Sequence, residues 1–139
     1  MTSYDPDNIF AKIIAGDIPS VKLFENDVCI GIMDVFPQSE GHCLVIPRAP
    51  SRNILDADPA SLAATIPHIQ NLAKAAKAAL DADGIRVMQF NETPSGQTVF
   101  HLHWHVIPIF EGKALGAHAG GMADAAELEA LAAKIRAEL

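Results

Sequence analysis

From residue 101 to residue 106 the chain alternates polar and apolar side chains without a break, His101-Leu102-His103-Trp104-His105-Val106, and then closes on Ile107. A period of two is the signature of an extended strand, whose successive side chains point to opposite faces. Three imidazoles are therefore expected on one face, and Leu102, Trp104 and Val106 on the other, against a core. The alternation sits within a longer β-like run, FHLHWHVIPIF, joined to an earlier one, IRVMQFN, by the turn-rich loop ETPSGQTV. The chain must therefore build a sheet in which the histidine strand is paired.

The other elements follow from local signals. Asp7 or Asn8 can cap a short helix from Ile9 to Ala15 that Gly16 ends, with Ile9, Ile13, Phe10 and Ile14 on its buried side. The runs VKLFE and VCIGIMDV, separated by Asn26-Asp27, read as a hairpin, and HCLVIP as a third strand stopped by Pro47. Asp58-Pro59 opens a long helix with apolar positions at Leu62, Ile66, Ile69, Ala73, Ala76 and Leu80, ending near Asp83-Gly84. Pro67 falls inside it and predicts a kink or break. After a glycine-rich stretch at 112–121, a final helix carries Leu128, Leu131, Ile135 and Leu139 on one face. The result is an α+β fold: a five-stranded antiparallel sheet with a short N-terminal helix, one long inserted helix and a C-terminal helix. Residues 1–111 are expected to form the main domain, with the loop and helix of 112–139 packed on it.

A formal net charge of −7 argues against a nucleic acid partner, which would need many Lys and Arg contacts to phosphates. No apolar stretch approaches the roughly 18 residues of a membrane span. The start, MTSYDPDNIF, has no secretion signal, and Cys29 and Cys43 lie in apolar strand-like runs as buried thiols. A soluble, cytoplasmic protein is the expectation.

Three chemistries suit the histidine row. Its imidazoles can form an ordinary polar face, although Thr, Lys or Glu serve that purpose equally. Zinc can take two ligands from His-x-His on a strand, but the outer histidines are roughly 13 Å apart at strand rise, so all three cannot ligate one ion. His42 could complete a site with only two of them. Phosphate chemistry uses all three: one imidazole is the nucleophile and its neighbours supply hydrogen bonds and positive charge to phosphoryl oxygens. Upstream, Gly96 permits close backbone approach to a ligand, Gln97 and Thr98 offer donors, and Asp34 and Asn91 each end a strand near the site.

HLHWHVI, with GQTVF before it, resembles the histidine-triad (HIT) motif. FAKIIAGDIPS and MDVFPQSEGHCLVIP resemble the nucleoside-phosphoramidase, or Hint, branch, so the likeness covers roughly residues 8–110. The resemblance implies a HIT-like fold and nucleotidyl transfer to histidine followed by hydrolysis, commonly from adenosine phosphoramidates. It makes His103 the nucleophile, flanked by His101 and His105, with His42 in support and His105 on the phosphate. Asp34 matches the ribose-binding acid, Ile32 and Val35 contact the base, and Asn91, Gly96, Gln97 and Thr98 surround the phosphate and leaving group. The implied substrate is a purine nucleotide of AMP or GMP type, without a cofactor. Dinucleoside polyphosphate hydrolysis and nucleotide-binding regulation are the alternatives. Zinc-binding relatives have ligands where this chain has Asn8, Ala11 and Pro50, so no metal is expected. The C-terminal helix after residue 122 departs from the short Hint tail. An unpaired edge at Arg86 to Asn91, with the alanine-rich helix, predicts a homodimer, and the resemblance implies a sheet continuous across the two chains.

Overall fold

The first helix, α1 (Ile9–Ala15), is held at both ends as its sequence requires. Asn8 Oδ1 accepts the Ala11 N–H at 2.9 Å, and Gly16 ends the helix in the left-handed region at φ 84°. The hairpin of β1 (Lys22–Glu25) and β2 (Cys29–Met33) turns on Asn26, whose Oδ1 accepts the Val28 and Cys29 N–H groups at 2.8 and 3.0 Å. β3 (Cys43–Pro47), the long helix α2 (Pro59–Leu80), β4 (Gly84–Met88), β5 (Trp104–Ile109) and α3 (Ala125–Arg136) complete the fold. The computed structural model describes residues 3–116 and 121–139, so 117–120 of the glycine-rich stretch lie outside the described residues.

The five strands form one antiparallel sheet in the order β1-β2-β3-β5-β4. Strand alternation divides it into two apolar faces. Cys29, Met33, Cys43, Val45, Trp104 and Val106 pack with α2 and α3, whereas Ile30, Ile32, Leu44 and Ile46 pack with Phe10 and Ile13 of α1. The histidine face of β5 is thus directed to the α1 side. No helix among the described residues is long and apolar enough to cross a membrane.

Several expectations change. α2 runs through Pro67 without a break. Pro67 and Ala63, whose carbonyl loses its partner, are both exposed, and burial of Ile69 and Leu72 at ~1.5–3 kcal/mol each offsets the ~3 kcal/mol cost of the proline. The buried stripe of α2 is also rotated: Ile66 is 52% exposed, while Thr65 is buried with Oγ1 donating to Ser61 O at 2.8 Å. Asp58 occupies the N-cap position of α2 but makes no side-chain cap bond, and the helix stops at Leu80, with Asp81 in the left-handed region. At the C-terminus Leu128 and Ile135 are buried but Leu139 is 49% exposed, and Arg136 ties α3 to β1 by donating to Lys22 O.

Finally, β5 begins only at Trp104, after two of the three histidines. Val45 pairs Trp104, so the next positions would bring residues 102 and 103 against Ile46 and Pro47. Pro47 has no N–H to give. Its carbonyl instead accepts the His101 imidazole, and the Leu102 N–H turns to Ser51 O at 2.9 Å. The backbone has left the ladder.

Candidate active site

A cavity of about 300 Å³ opens between α1 and the sheet, at the junction of β2, β3 and β5. Phe10 and Ile13 line it from α1, Ile32 and Leu44 from the sheet, Asp34 and Val35 from the end of β2, Thr98 and Val99 from the loop before β5, and His103 and His105 from the triad run. Apolar walls with a few polar groups converging at one end are the usual make-up of a small-ligand site. Another hollow, about 390 Å³, lies by Phe24 and His68 and contains none of the candidate site residues.

Hydrogen bonds to backbone groups decide where each imidazole carries its proton. His103 Nδ1 lies 2.6 Å from the His101 carbonyl oxygen. A carbonyl only accepts, so the proton is on Nδ1 and the lone pair is on Nε2. His103 is 8% exposed and lines the cavity, and its ring is braced edge-on by Phe10 at a centroid distance of 4.8 Å. At His42, the Gln38 N–H donates to Nδ1 at 3.0 Å, which leaves the proton on Nε2. That Nε2 lies 2.9 Å from His105 Nδ1, so His42 donates and His105 accepts. The proton of neutral His105 is thereby placed on Nε2. Two neighbouring imidazoles, with centroids 5.1 Å apart, thus have opposite character: one presents a lone pair at Nε2, the other an N–H.

His101 departs from the row. Its Nε2 donates to Pro47 O at 2.7 Å, and its Nδ1 accepts the Tyr4 hydroxyl at 2.7 Å. Both nitrogens are engaged away from the cavity, and burial holds the imidazole pKa below its ordinary value, partly opposed by the bond to Pro47. The imidazole that stands beside His105 is His42, from the start of β3. Its Nε2 is also 3.3 Å from Asp34 Oδ2. Asp34 lines the cavity, and its Oδ1 accepts the Phe36 N–H at 2.8 Å. Asp34 Oδ2, His42 Nε2 and His105 Nδ1 are close enough together to hold a metal ion, with one triad histidine, not two, as a ligand. Asn8 spends its side-chain oxygen on the α1 cap.

The loop before β5 is built differently from the sequence expectation. Gln97 is 2% exposed and spends its whole side chain on the fold. Oε1 accepts from Glu92 N and Asn53 Nδ2, and Nε2 donates to Arg52 O and Val99 O. Asn91 accepts the Ile54 N–H at 2.9 Å, at the start of the 3-10 turn that Asn53 caps, and pairs with Gln89. Gly96, at φ 113°, supplies the left-handed turn that closes the loop. Asn91, Gly96 and Gln97 therefore shape the loop, and Thr98 is the member of the set that lines the cavity. Glu92 also adopts a positive φ, 74°, in a conformation secured by two bonds from Arg52. That guanidinium holds the Glu92 carboxyl below the usual carboxylate range.

The sequence reading took Phe10 and Ile13 as core and overlooked Tyr4, Asn53 and the Gln38 N–H. The apolar face of α1 was the available signal for the first two. Tyr4 and Asn53 reach His101 and Gln97 from distant parts of the chain, and the Gln38 N–H, four positions before His42, is a backbone group that no side-chain pattern marks.

Comparison with known proteins gives the family and the fold. The family model described as HIT domain matches residues 15–112. The chain is 35% identical over 111 residues to adenylylsulfatase HINT3 of Arabidopsis thaliana, covering 80% of this chain but only 56% of that protein. It is 36% identical over 100 residues to adenosine 5'-monophosphoramidase hnt1 of Schizosaccharomyces pombe, covering 72% of each. A Hit-like protein from Bartonella henselae, described as involved in cell-cycle regulation and solved with an unknown ligand, superposes with a TM-score of 0.95. It shares 51% identity, over 99% of this chain and 100% of that one.

Proposed function

The chain belongs to the HIT domain family, and from that premise we propose that it is a nucleoside phosphoramidate hydrolase acting through a nucleotidyl adduct on His103. One observation carries the reading: the bond from His103 Nδ1 to the His101 carbonyl commits Nε2 of a cavity-lining imidazole to be a lone-pair nucleophile. The base of a purine nucleotide, AMP or GMP, lies among Phe10, Ile13, Ile32, Leu44 and Val35, and Asp34 accepts from a ribose hydroxyl. That places the α-phosphorus before His103, with His105 Nε2–H donating to a phosphoryl oxygen and Thr98 beside the leaving group.

The Nε2–P bond forms as the P–N bond breaks, its electron pair going to the amine nitrogen, which takes a proton from solvent. Water then attacks phosphorus and gives a proton to solvent, Nε2 departs with its electron pair, and the nucleoside monophosphate is released. Splitting a difficult displacement into two steps is the advantage of covalent catalysis. In this scheme His101 aims the nucleophile through its carbonyl, and His42 sets the tautomer of His105.

Rapid quenching with an AMP phosphoramidate, followed by peptide mass spectrometry under non-acidic conditions, should find the nucleotide on the peptide containing His103. His103→Ala should still bind AMP and lose several orders of magnitude in turnover. An adduct on His105, or substantial turnover by the alanine variant, would overturn the assignment. The two activities in the relatives' names differ in the leaving group on an adenylyl phosphorus. A panel of AMP and GMP phosphoramidates, adenylyl sulfate and dinucleoside polyphosphates therefore ranks the substrate classes. Nucleotide binding with no turnover on any of them would favour a regulatory role.

A further inference from the structure

We propose that Asp34, His42 and His105 form a binding site for one divalent transition-metal ion of the zinc class, and that filling it switches the active site off. The three donor atoms come from the end of β2, the start of β3 and the middle of β5, so only the assembled sheet brings them together. Their separations are 2.9 Å for His42 Nε2 to His105 Nδ1, 3.3 Å for His42 Nε2 to Asp34 Oδ2 and 4.0 Å for His105 Nδ1 to Asp34 Oδ2. A point equidistant from all three lies about 2.0 Å from each, which is the zinc distance to imidazole nitrogen and carboxylate oxygen. Tetrahedral zinc asks for donor separations of about 3.3 Å, so His42 and His105 must part by about 0.4 Å and His105 and Asp34 must close by about 0.7 Å. Two imidazoles and a carboxylate are a zinc donor set, and two of the three residues, Asp34 and His105, also line the cavity.

The ion competes with the hydrogen bonds already made there. Without metal, the Gln38 N–H donates to His42 Nδ1, so the His42 proton occupies the nitrogen that the ion needs. Binding moves this proton from Nε2 to Nδ1 and releases the Gln38 N–H. His105 ligates through the lone pair it already has, no proton leaves the protein, and nothing is oxidised. The loss of the Gln38 bond keeps affinity modest, so the site suits an exchangeable ion more than a permanent one. Once the ion is bound, the His42 to His105 bond is gone and Asp34 is withdrawn from a ribose hydroxyl. The inhibitory consequence rests on the phosphoryl-transfer reading; the metal site stands on geometry alone.

Binding is therefore measured first without substrate. Chelator-treated protein is titrated with Zn²⁺ by calorimetry and with Co²⁺ by visible absorption. One ion per chain is expected, with the intense cobalt bands of a four-coordinate site. Asp34→Asn and His42→Gln should each weaken binding at least tenfold, whereas His103→Ala should leave it within about twofold. Zinc-edge X-ray absorption on the wild-type protein does not depend on any variant folding, and should show two imidazoles with oxygen at about 2.0 Å. A sulfur shell, which would implicate the cysteines, or zinc affinity unchanged in both ligand variants, would place the ion elsewhere and overturn the proposal. So would the absence of binding at millimolar zinc. In the second arm, zinc at saturation should abolish phosphoramidate turnover and a chelator should restore it. Full turnover with the site filled would overturn the switch, whereas no turnover by metal-free protein would overturn the enzymatic reading and leave the metal site standing.

Discussion

Replacing His101 with alanine should cost stability more than any single substitution at His103, because the two histidines have opposite duties. The His101 imidazole is 1% exposed and bridges Pro47 O and the Tyr4 hydroxyl, each at 2.7 Å. Its removal strands a buried carbonyl at ~1–3 kcal/mol, loses the net ~1 kcal/mol of the tyrosine bond and leaves a ring-sized void. Together these amount to ~3–5 kcal/mol, a large part of the ~5–15 kcal/mol that holds a domain folded. At ~2–4 °C per kcal/mol for a chain of this size, the midpoint should fall by about 10 °C or more. His103→Ala gives up one bond to the His101 carbonyl and an edge contact with Phe10 beside an open cavity, so its cost should stay near ~1–2 kcal/mol.

Thermal and urea unfolding of both variants, beside steady-state turnover, tests the difference. The pH dependence adds a second readout. Burial lowers the His101 pKa in the folded protein, so the unfolded chain binds its proton more readily. The contribution of this group is full above the unfolded value of ~6.5 and is lost as pH falls below it. Stability of His101→Ala should therefore decline less steeply than wild type between about pH 6.5 and 5. If His101→Ala unfolds like wild type yet loses turnover as completely as His103→Ala, then His101 acts on substrate and the anchoring argument fails.

Three further outcomes are expected. β4 pairs on one edge only and exposes Val87 at 47%, so light scattering should find a homodimer near 30 kDa, about twice the 14.8 kDa chain; a monomer at micromolar concentration would count against it. Gln97→Ala takes the partner from the Glu92 N–H and from the Arg52 and Val99 carbonyls, while Asn53 Nδ2 keeps Glu92, and should cost ~2–4 kcal/mol in urea unfolding; a change below ~0.5 kcal/mol would show that the loop holds itself without this side chain. Chelators should leave phosphoramidate turnover unchanged or raise it, because every step is assigned to side chains; activity lost on chelation and restored by zinc would reverse that assignment.

The elements that local chemistry controls were legible in the amino-acid order. Asn8 and Gly16 bound α1, Asn26 turns the first hairpin, Pro47 stops β3, and the alternation through Trp104 and Val106 directs one side of β5 to the core. Each depends on residues within a few positions, where backbone geometry and side-chain period act directly. The same alternation overextended β5, because a strand continues only while its partner can pair, and Pro47 belongs to another segment. It also placed His101 with His103 and His105, whereas the imidazole that completes the cluster is His42, 63 positions from His105. Which nitrogen of each ring carries the proton is set by the His101 carbonyl for His103 and by the Gln38 N–H, through His42, for His105. Periodicity establishes which way a side chain points, so the sequence could nominate the histidines. Their chemical character depends on hydrogen-bond partners: the His101 carbonyl and the Gln38 N–H are near in the chain, but only folding turns them onto the rings and brings His42 to His105.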